Sequence, residues 1–414
     1  MPDLASYEPV VGRSVIEELR ELARRITRRR VMMVNSTKSG GGVAEILHWM
    51  VPLFNELGIE SEWEVIEGNS AFYTVTKKFH NALHGKTETI TQDMLDQFIE
   101  VGRRNAERMA LKADIMFIHD PQPIVLVERR QANRNAKWVW RCHIDVSRPQ
   151  RDVWDFLKPY ILQYDATIYS SPAFTQQMEI RQALVPPSID PLSNKNRDLA
   201  PEEIADVLER LEIPTDLPIV TQISRFDYLK DPLGVIEAFR RVRRSVKCRL
   251  ILAGGPASDD PEGEEVLAKV REQAKGDPEI HLLMLPPNSD VEINALQRAS
   301  AVVVQKSIKE GFGLTVSEAL WKGRPVVASG VGGIPLQVLH RYSGLLVHSI
   351  EGAASAIKHL LNNPEYAKRL GENGREHVRH NFLITRHVTD YLLTFLSLDY
   401  DQDTVFLNGA ERSG

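Results

Sequence analysis

The chain reads as an α/β protein made of two doubly wound parallel-sheet domains, and three features predict this. Short β-branched runs alternate with helix-length amphipathic stretches from about residue 31 to 350, the pattern of parallel strands joined by helical crossovers. The runs fall into two sets, separated at 185–203 by a stretch rich in Pro, Ser, Asn and Asp that opposes regular structure and reads as a linker. A length of 414 residues suits two or three domains of roughly 150 residues.

The first set comprises the apolar runs at 31–35 (VMMVN), 63–66 (WEVI), 115–119 (IMFIH), 138–144 (WVWRCHI), 166–170 (ATIYS) and 183–185 (ALV). The second comprises 219–223 (IVTQI), 249–253 (RLILA), 280–285 (IHLLML), 301–305 (AVVVQ), 325–328 (PVVA) and 345–347 (LLV). Both sets are expected to form strands, with helical patterns between them. Beyond 350, helical patterns fill 351–363, 364–379 and 384–398. The expected division is an N-terminal domain over 1–195, a C-terminal domain over 196–383, a helix over 384–398 and a mobile tail over 399–414, which has little to bury.

Composition excludes several classes. With 43% apolar and 26% charged residues the chain is ordinary globular material. A net charge of −5 supplies no global positive field for nucleic acid or anionic lipid, so any anion site must be local. The basic cluster Arg24, Arg25, Arg28, Arg29 and Arg30 has no interleaved aromatics and reads as a solvated helix end. Cys142 and Cys248 form neither a disulfide framework nor a zinc spacing, which fits a reducing cytoplasm. The start, MPDLASYEPVVG, lacks the pattern of a signal peptide, and no run of about 18 apolar residues suggests a membrane span.

Three segments carry chemistry. The first is SGGGVAEILHWMVPLF at 39–54, which follows a predicted strand and opens a helix. Gly40, Gly41 and Gly42 let backbone approach a ligand, and a helix N-terminus offers free N–H groups to an anion. A dinucleotide-binding turn is one reading, with Glu67 as ribose partner, but Glu45 stands where that fingerprint needs a small residue. A purely structural turn is another. The second segment is QKSIKEGFGLTVSEALWKG at 305–323, in which Glu310 and Glu318 stand eight apart across a loop and a helix start. The amides of Gly311, Phe312, Gly313, Leu314 and Thr315 should point at whatever docks there, aided by the helix dipole. A carboxylate accepts from two hydroxyls at once, so Glu310 suits a hexose and Glu318 a ribose. The third is SRFDYLK at 224–230, where Arg225 and Lys230 supply the cations that a diphosphate beside two glutamates requires.

Together the Glu310/Glu318 element, the Arg225/Lys230 element and the glycine loop resemble retaining GT-B glycosyltransferases of glycosyltransferase family 4. FHNALHG at 79–85, HDPQP at 119–123, WRCHID at 140–145, PPSIDPLS at 186–193 and EGFGLTVSEALWKG at 310–323 look, more closely, like the trehalose glycosyltransferring synthase family. The resemblance implies a GT-B fold, two Rossmann-like domains facing a cleft, with the 384–398 helix crossing back to the first domain. It implies that Arg225 and Lys230 hold the donor diphosphate, Glu318 the ribose and Glu310 the donor-sugar hydroxyls. It assigns Asp120 to an acceptor hydroxyl and His143 to the transferred glucose, with Arg141 and Asp145 beside them and Gly40 to Gly42 closing over phosphate and acceptor. His80 and Asn81 stand between a ligand role and loop packing.

The implied activity is retaining transfer of glucose from a nucleoside diphosphate glucose to free glucose, giving α,α-trehalose. A trehalose phosphorylase of the same fold and a noncatalytic nucleotide-sugar sensor are the alternatives. No tightly bound cofactor and no metal site are expected, with Mg²⁺ at most a stimulant that pairs with free nucleotide. The expected partners are small molecules (nucleotide sugar, glucose, trehalose), with no nucleic acid and no membrane; a homodimer is left open. The choice among UDP, ADP and GDP is not written in the sequence.

Overall fold

The fold is that of a computed structural model, which describes residues 3–26, 29–38, 41–255 and 261–400. Each of the twelve predicted runs overlaps a strand, with some offset at its ends. The first sheet contains β1 (Arg30–Asn35), β2 (Glu60–Val65), β3 (Ile115–His119), β4 (Lys137–Arg141), β5 (Ala166–Tyr169) and β6 (Arg181–Leu184). The second contains β7 (Ile219–Ile223), β8 (Arg249–Gly254), β9 (Ile280–Met284), β10 (Val302–Gln305), β11 (Val326–Ser329) and β12 (Leu345–Val347). Strand orders are β2-β1-β3-β4-β5-β6 and β12-β11-β10-β7-β8-β9, and every pairing is parallel.

The central strands are apolar on both faces because helices cover both, as parallel sheets require. β3, β7, β8, β10 and β11 are buried along their whole length. In the first sheet, Met116, Ile118, Trp138 and Trp140 pack with Phe72, Phe79 and Phe98 on one side. Phe117 turns to the other side and meets Tyr391 and Phe395 edge-on, with centroids 4.8 and 5.3 Å apart. Both aromatic partners lie on the helix Ile384–Ser397. In the second sheet Val220, Leu250, Val302, Val304 and Val327 form one core with Val235, Phe239, Ile357 and Leu370.

The chain divides into two compact units, Met1–Val185 with Thr385–Gly414, and Pro186–Ile384. The stretch at 185–203 differs from the expected linker. It contains little regular structure, yet Ser188, Asp190, Ser193 and Asn196 are buried. Asn294 Nδ2 donates to the carbonyls of Asn194 and Arg197 at 2.9 and 2.8 Å, and Trp321 Nε1 donates to that of Asn196 at 3.2 Å. Within the segment, Ser193 Oγ and Asn196 Nδ2 donate to the Asp190 carbonyl at 2.9 and 3.0 Å, so its own polar residues, together with those donors from neighbouring helices, satisfy the backbone of an ordered segment. The first turn of its following helix, Pro201–Arg210, is fixed by Glu203, which accepts from the Ala200 N–H at 3.0 Å.

Of the basic cluster, Arg24 and Arg25 pair with Glu21 on their own helix. Arg29 pairs with Asp399 at 2.5 Å, and Arg30 with Glu60 and Glu62. Arg28 lies outside the described residues, as does the expected tail from 401 onward. No helix among the described residues is long and apolar enough to cross a membrane.

Candidate functional site

Each sheet has one place where strand order reverses, and loops leaving the carboxyl ends of strands there open a crevice. In the second unit it lies between β7 and β10. Arg225 and Lys230 follow β7, and Glu310 follows β10. Lys230 Nζ donates to both carboxylate oxygens of Glu310 at 2.7 Å, with both side chains largely buried. The sequence assigned these two to different parts of a ligand; the fold makes them a charge-assisted pair.

That pair is fixed from several sides. Gln222 Nε2 on β7 donates to the Lys230 carbonyl at 2.7 Å. Ile308 N–H donates to the Leu229 carbonyl at 2.8 Å, and Lys306 pairs with Asp231, so the two loops are stitched together. Glu310 also accepts from Ser307 Oγ at 3.0 Å and Gln305 Nε2 at 3.3 Å. Burial pushes the Glu310 carboxyl up, but the Lys230 charge and these hydrogen bonds outweigh it and hold it below its ordinary value. Arg225 is half-exposed and reaches Asp227 at 3.3 Å.

The turn after Glu310 runs through Gly313 at φ +80°, which caps the helix Leu314–Trp321. The N–H groups of Gly311 to Thr315 donate to no backbone acceptor among the described residues, while helix geometry turns such groups outward. Phe312 contributes backbone only: its ring is buried against Phe382, with centroids 5.6 Å apart. Glu318, on the helix, is buried, accepts from Gln297 Nε2 at 3.2 Å and has Lys195 Nζ at 3.9 Å. Lys322 one turn on donates to Gln297 and to Asn196 at 2.7 and 2.9 Å, so Glu318 sits at the edge of a buried amide and ammonium network.

The sequence reading missed the loop after β11. Gly333 N–H donates to the Gly311 carbonyl at 2.9 Å. Gly332, at φ +57°, packs so closely that a Cβ would stand 1.7 Å from the Glu310 carbonyl oxygen. The signal was present as SGVGG at 329–333, but glycines after a strand have many uses, and only the packing reveals this one. Gln305 and Ser307 were likewise invisible as carboxylate donors.

In the first unit the reversal lies between β1 and β3. The glycine loop follows β1; Gly41, at φ +81°, precedes the helix Gly42–Glu56, and Gly40 lies outside the described residues. Glu67 is far from a ribose role there: it pairs with Arg108 at 3.1 Å on the surface. Asp120 follows β3 with φ +65°, an uncommon conformation for a residue with a side chain. Three hydrogen bonds hold it: its N–H to the Arg141 carbonyl at 2.7 Å, Trp140 Nε1 to its carbonyl at 2.9 Å, and His143 N–H to its Oδ1 at 2.8 Å. Burial raises its carboxyl to about 6, opposed by the His143 bond and the Arg141 charge.

His143 is half-buried, and its Nε2 lies 3.1 Å from His119 Nδ1. Burial first, then the charge of Arg141, holds His143 well below its ordinary pKa. Arg141 itself is wholly buried and donates to Ser170 Oγ at 3.1 Å and the Val185 carbonyl at 2.6 Å. The acceptor assignment pictured Arg141 at a ligand surface, but it sits beneath that surface, because its place on β4 faces the helix Ile384–Ser397. Asp145 accepts from the Ser147 N–H at 2.9 Å. Asn81 donates to Glu88 in the 84–91 loop at 2.9 Å, and His80 stacks edge-on with His84 at the end of its own helix. Among the described residues no group of three His, Cys, Asp or Glu side chains is placed to hold a metal ion.

Comparison with known proteins places the chain in a family. The family description "Trehalose synthase, N-terminal domain" matches residues 33–176, and "Glycosyl transferases group 1" matches residues 204–377. A trehalose synthase of Rubrobacter xylanophilus is 45% identical over 403 residues, covering 95% of this chain and 97% of that protein. A trehalose phosphorylase of Pleurotus pulmonarius is 27% identical, covering 91% of this chain but 58% of its own. Among solved structures, the trehalose-6-phosphate synthase OtsA shares the fold with a TM-score of 0.73 at 15% identity, over 91% of this chain and 99% of that one. With near-complete coverage by such a relative and two six-stranded parallel sheets of this topology, the chain belongs to the trehalose synthase family of GT-B glycosyltransferases.

Proposed function

We propose that the protein is a retaining glucosyltransferase that joins glucose from a nucleoside diphosphate glucose to free glucose, forming α,α-trehalose. The observation that carries this reading is the Lys230–Glu310 pair beside the outward amides of 311–315. A cation, a carboxylate and free N–H groups on adjoining loops suit a ligand with both anionic and polyhydroxyl parts, as a nucleotide sugar has. Lys230 and Arg225 neutralise the diphosphate, Glu310 accepts from sugar hydroxyls and Glu318 from ribose. In the first unit, His143 meets the transferred glucose and Asp120, with one oxygen committed to the His143 N–H, offers the other to the acceptor.

In this reading the anomeric C1–O bond to the diphosphate breaks as the acceptor hydroxyl oxygen bonds to C1 on the same face. The acceptor proton passes to the departing phosphate oxygen, so no enzymic nucleophile is required. Catalysis is then positioning and stabilisation of the charge that develops on the diphosphate. Because Lys230 and Arg225 supply that charge, chelator-treated protein is expected to keep its turnover, with Mg²⁺ acting only on free nucleotide.

The test is NMR of the purified protein with UDP-glucose, ADP-glucose or GDP-glucose plus glucose, and in parallel with trehalose plus inorganic phosphate. Nucleotide-dependent α,α-trehalose is the expected product, and the donor that gives it identifies the base. Glucose 1-phosphate released from trehalose by phosphate alone would replace this reading with a phosphorylase. Donor binding without any product would make the protein a sensor.

A further inference from the structure

We propose that His119 is a positioning residue that fixes the tautomer of His143, keeping it a neutral ring with its proton on Nδ1 and so a hydrogen-bond donor. The recipient of that hydrogen bond, a hydroxyl oxygen of the transferred sugar, rests on the function proposed above; the tautomer does not.

The two rings lie nearly parallel, 19° apart with centroids 5.4 Å apart, and one proton is shared between His119 Nδ1 and His143 Nε2 across 3.1 Å. Either ring could own it. The other nitrogen of His119 decides. His119 Nε2 is buried and finds no hydrogen-bond partner among the described residues. If His143 owned the shared proton, neutral His119 would carry its own on Nε2, an N–H buried without an acceptor. Its neighbours make this worse: His119 and Arg141 are register partners on β3 and β4, so their side chains share one face of the sheet. A lone pair on Nε2 suits that cation, and a proton does not. The shared proton therefore belongs to His119 Nδ1, and His143 keeps its own on Nδ1. Burial and the Arg141 charge bring His119 down to about 3, so the pair stays neutral.

The backbone side is held as well. Asp120, next in sequence to His119, accepts from the His143 N–H at 2.8 Å. Its left-handed φ of 65° turns the chain so that consecutive residues grip the same histidine, one by its ring and one by its amide. The dipeptide at 119–120 thus works as a clamp on His143, a use that the sequence alone does not reveal.

The test uses the full chain labelled with ¹⁵N-histidine. Long-range ¹H–¹⁵N correlation reads which nitrogen of each ring is protonated, and the His143 signals are those missing from His143→Gln. The expected result is a protonated Nδ1 and a bare Nε2 on His143. His119→Phe keeps a ring but cannot donate; it should move His143 toward the Nε2–H form and lower kcat about tenfold, with the nucleotide-sugar KM little changed. His119→Asn, whose side-chain amide stands near the former Nδ1, should restore both the tautomer and much of kcat. A protonated Nε2 on His143 in the wild type overturns the proposal, even if His119→Phe fails to fold. So does an unmoved tautomer in a folded His119→Phe. If the tautomer is as expected but no trehalose forms, the proposed function fails and the clamp stands.

Discussion

At the residue scale, the charge pair at the β7/β10 reversal and the aspartate at the β1/β3 reversal respond to protons in opposite senses. Glu310 is held below its ordinary value of 4.5, so its ionised form adds stability that is present above that value and lost as pH falls through the folded one. Lys230 has the largest effect of the groups that keep it there; in Lys230→Ala burial is opposed only by the Ser307 and Gln305 hydrogen bonds, so the Glu310 carboxyl should titrate higher than in the wild type, visible by ¹³C NMR of labelled protein. The same substitution should cost roughly 2.7–4 kcal/mol of transition-state stabilisation, about 10²–10³ in kcat, and near-normal turnover would refute the role given to Lys230. Asp120 is raised from 3.8 to about 6, so its contribution is present below 3.8 and lost as pH climbs to 6. Asp120→Asn keeps an acceptor for the His143 N–H without the buried charge. Its melting temperature relative to wild type should therefore rise between pH 4 and pH 7, and a constant difference would show that the carboxylate is not strained by burial.

At the scale of elements, loops do the work that strands position. The glutamate turn after β10 is braced by the loop after β11, where Gly332 lies against the Glu310 carbonyl. Gly332→Ala meets both a left-handed φ and a backbone atom that cannot yield, and should cost at least about 1 kcal/mol while weakening donor binding. Thermal melts and titration calorimetry with UDP-glucose or ADP-glucose would measure both, and unchanged binding would separate the two loops functionally. The helix Ile384–Ser397 acts on the first sheet through Tyr391 and Phe395, each fully buried. Phe395→Ala leaves a cavity against Phe54 and Phe117 and should destabilise the first unit by about 3–5 kcal/mol. Chemical denaturation followed by the tryptophans of β4 reads this directly.

For the whole molecule, the two units differ in how the chain builds them. The second is one continuous stretch, Pro186–Ile384, whereas the first needs Met1–Val185 and a returning segment from Thr385. A fragment spanning 186–384 contains its whole core and is expected to fold alone and bind nucleotide sugar without turnover. A fragment ending at 185 lacks Tyr391 and Phe395, exposes Phe117 and should not give dispersed NMR spectra. Adding 385–400 as a separate peptide should rescue it, and dispersion without the peptide would show that the helix is dispensable.

Much of this was legible before any coordinates. Strand periodicity is local, and each strand at least overlaps a short apolar run, so all twelve could be read, the polar edge strands β2 (ESEWEV) and β6 (RQAL) least completely. Arg225, Lys230, Glu310 and Glu318 stood out because an Arg/Lys pair after one strand and a Glu pair around a glycine turn after another occur together, where any one of them alone has ordinary structural uses. The segment at 185–203 misled because polar, Pro-rich sequence reports a lack of regular structure, which is not a lack of packing. The sequence by itself determined the two sheets, the family and the residue types of the candidate site, since these depend on short-range pattern and motif. Only the tertiary structure decided that Lys230 and Glu310 pair, that Gly332 braces the glutamate turn, that Arg141 lies under the surface, and that His119 and Asp120 clamp His143. Those are contacts between residues far apart in the chain, and their energies come from burial and from partners that no local pattern encodes.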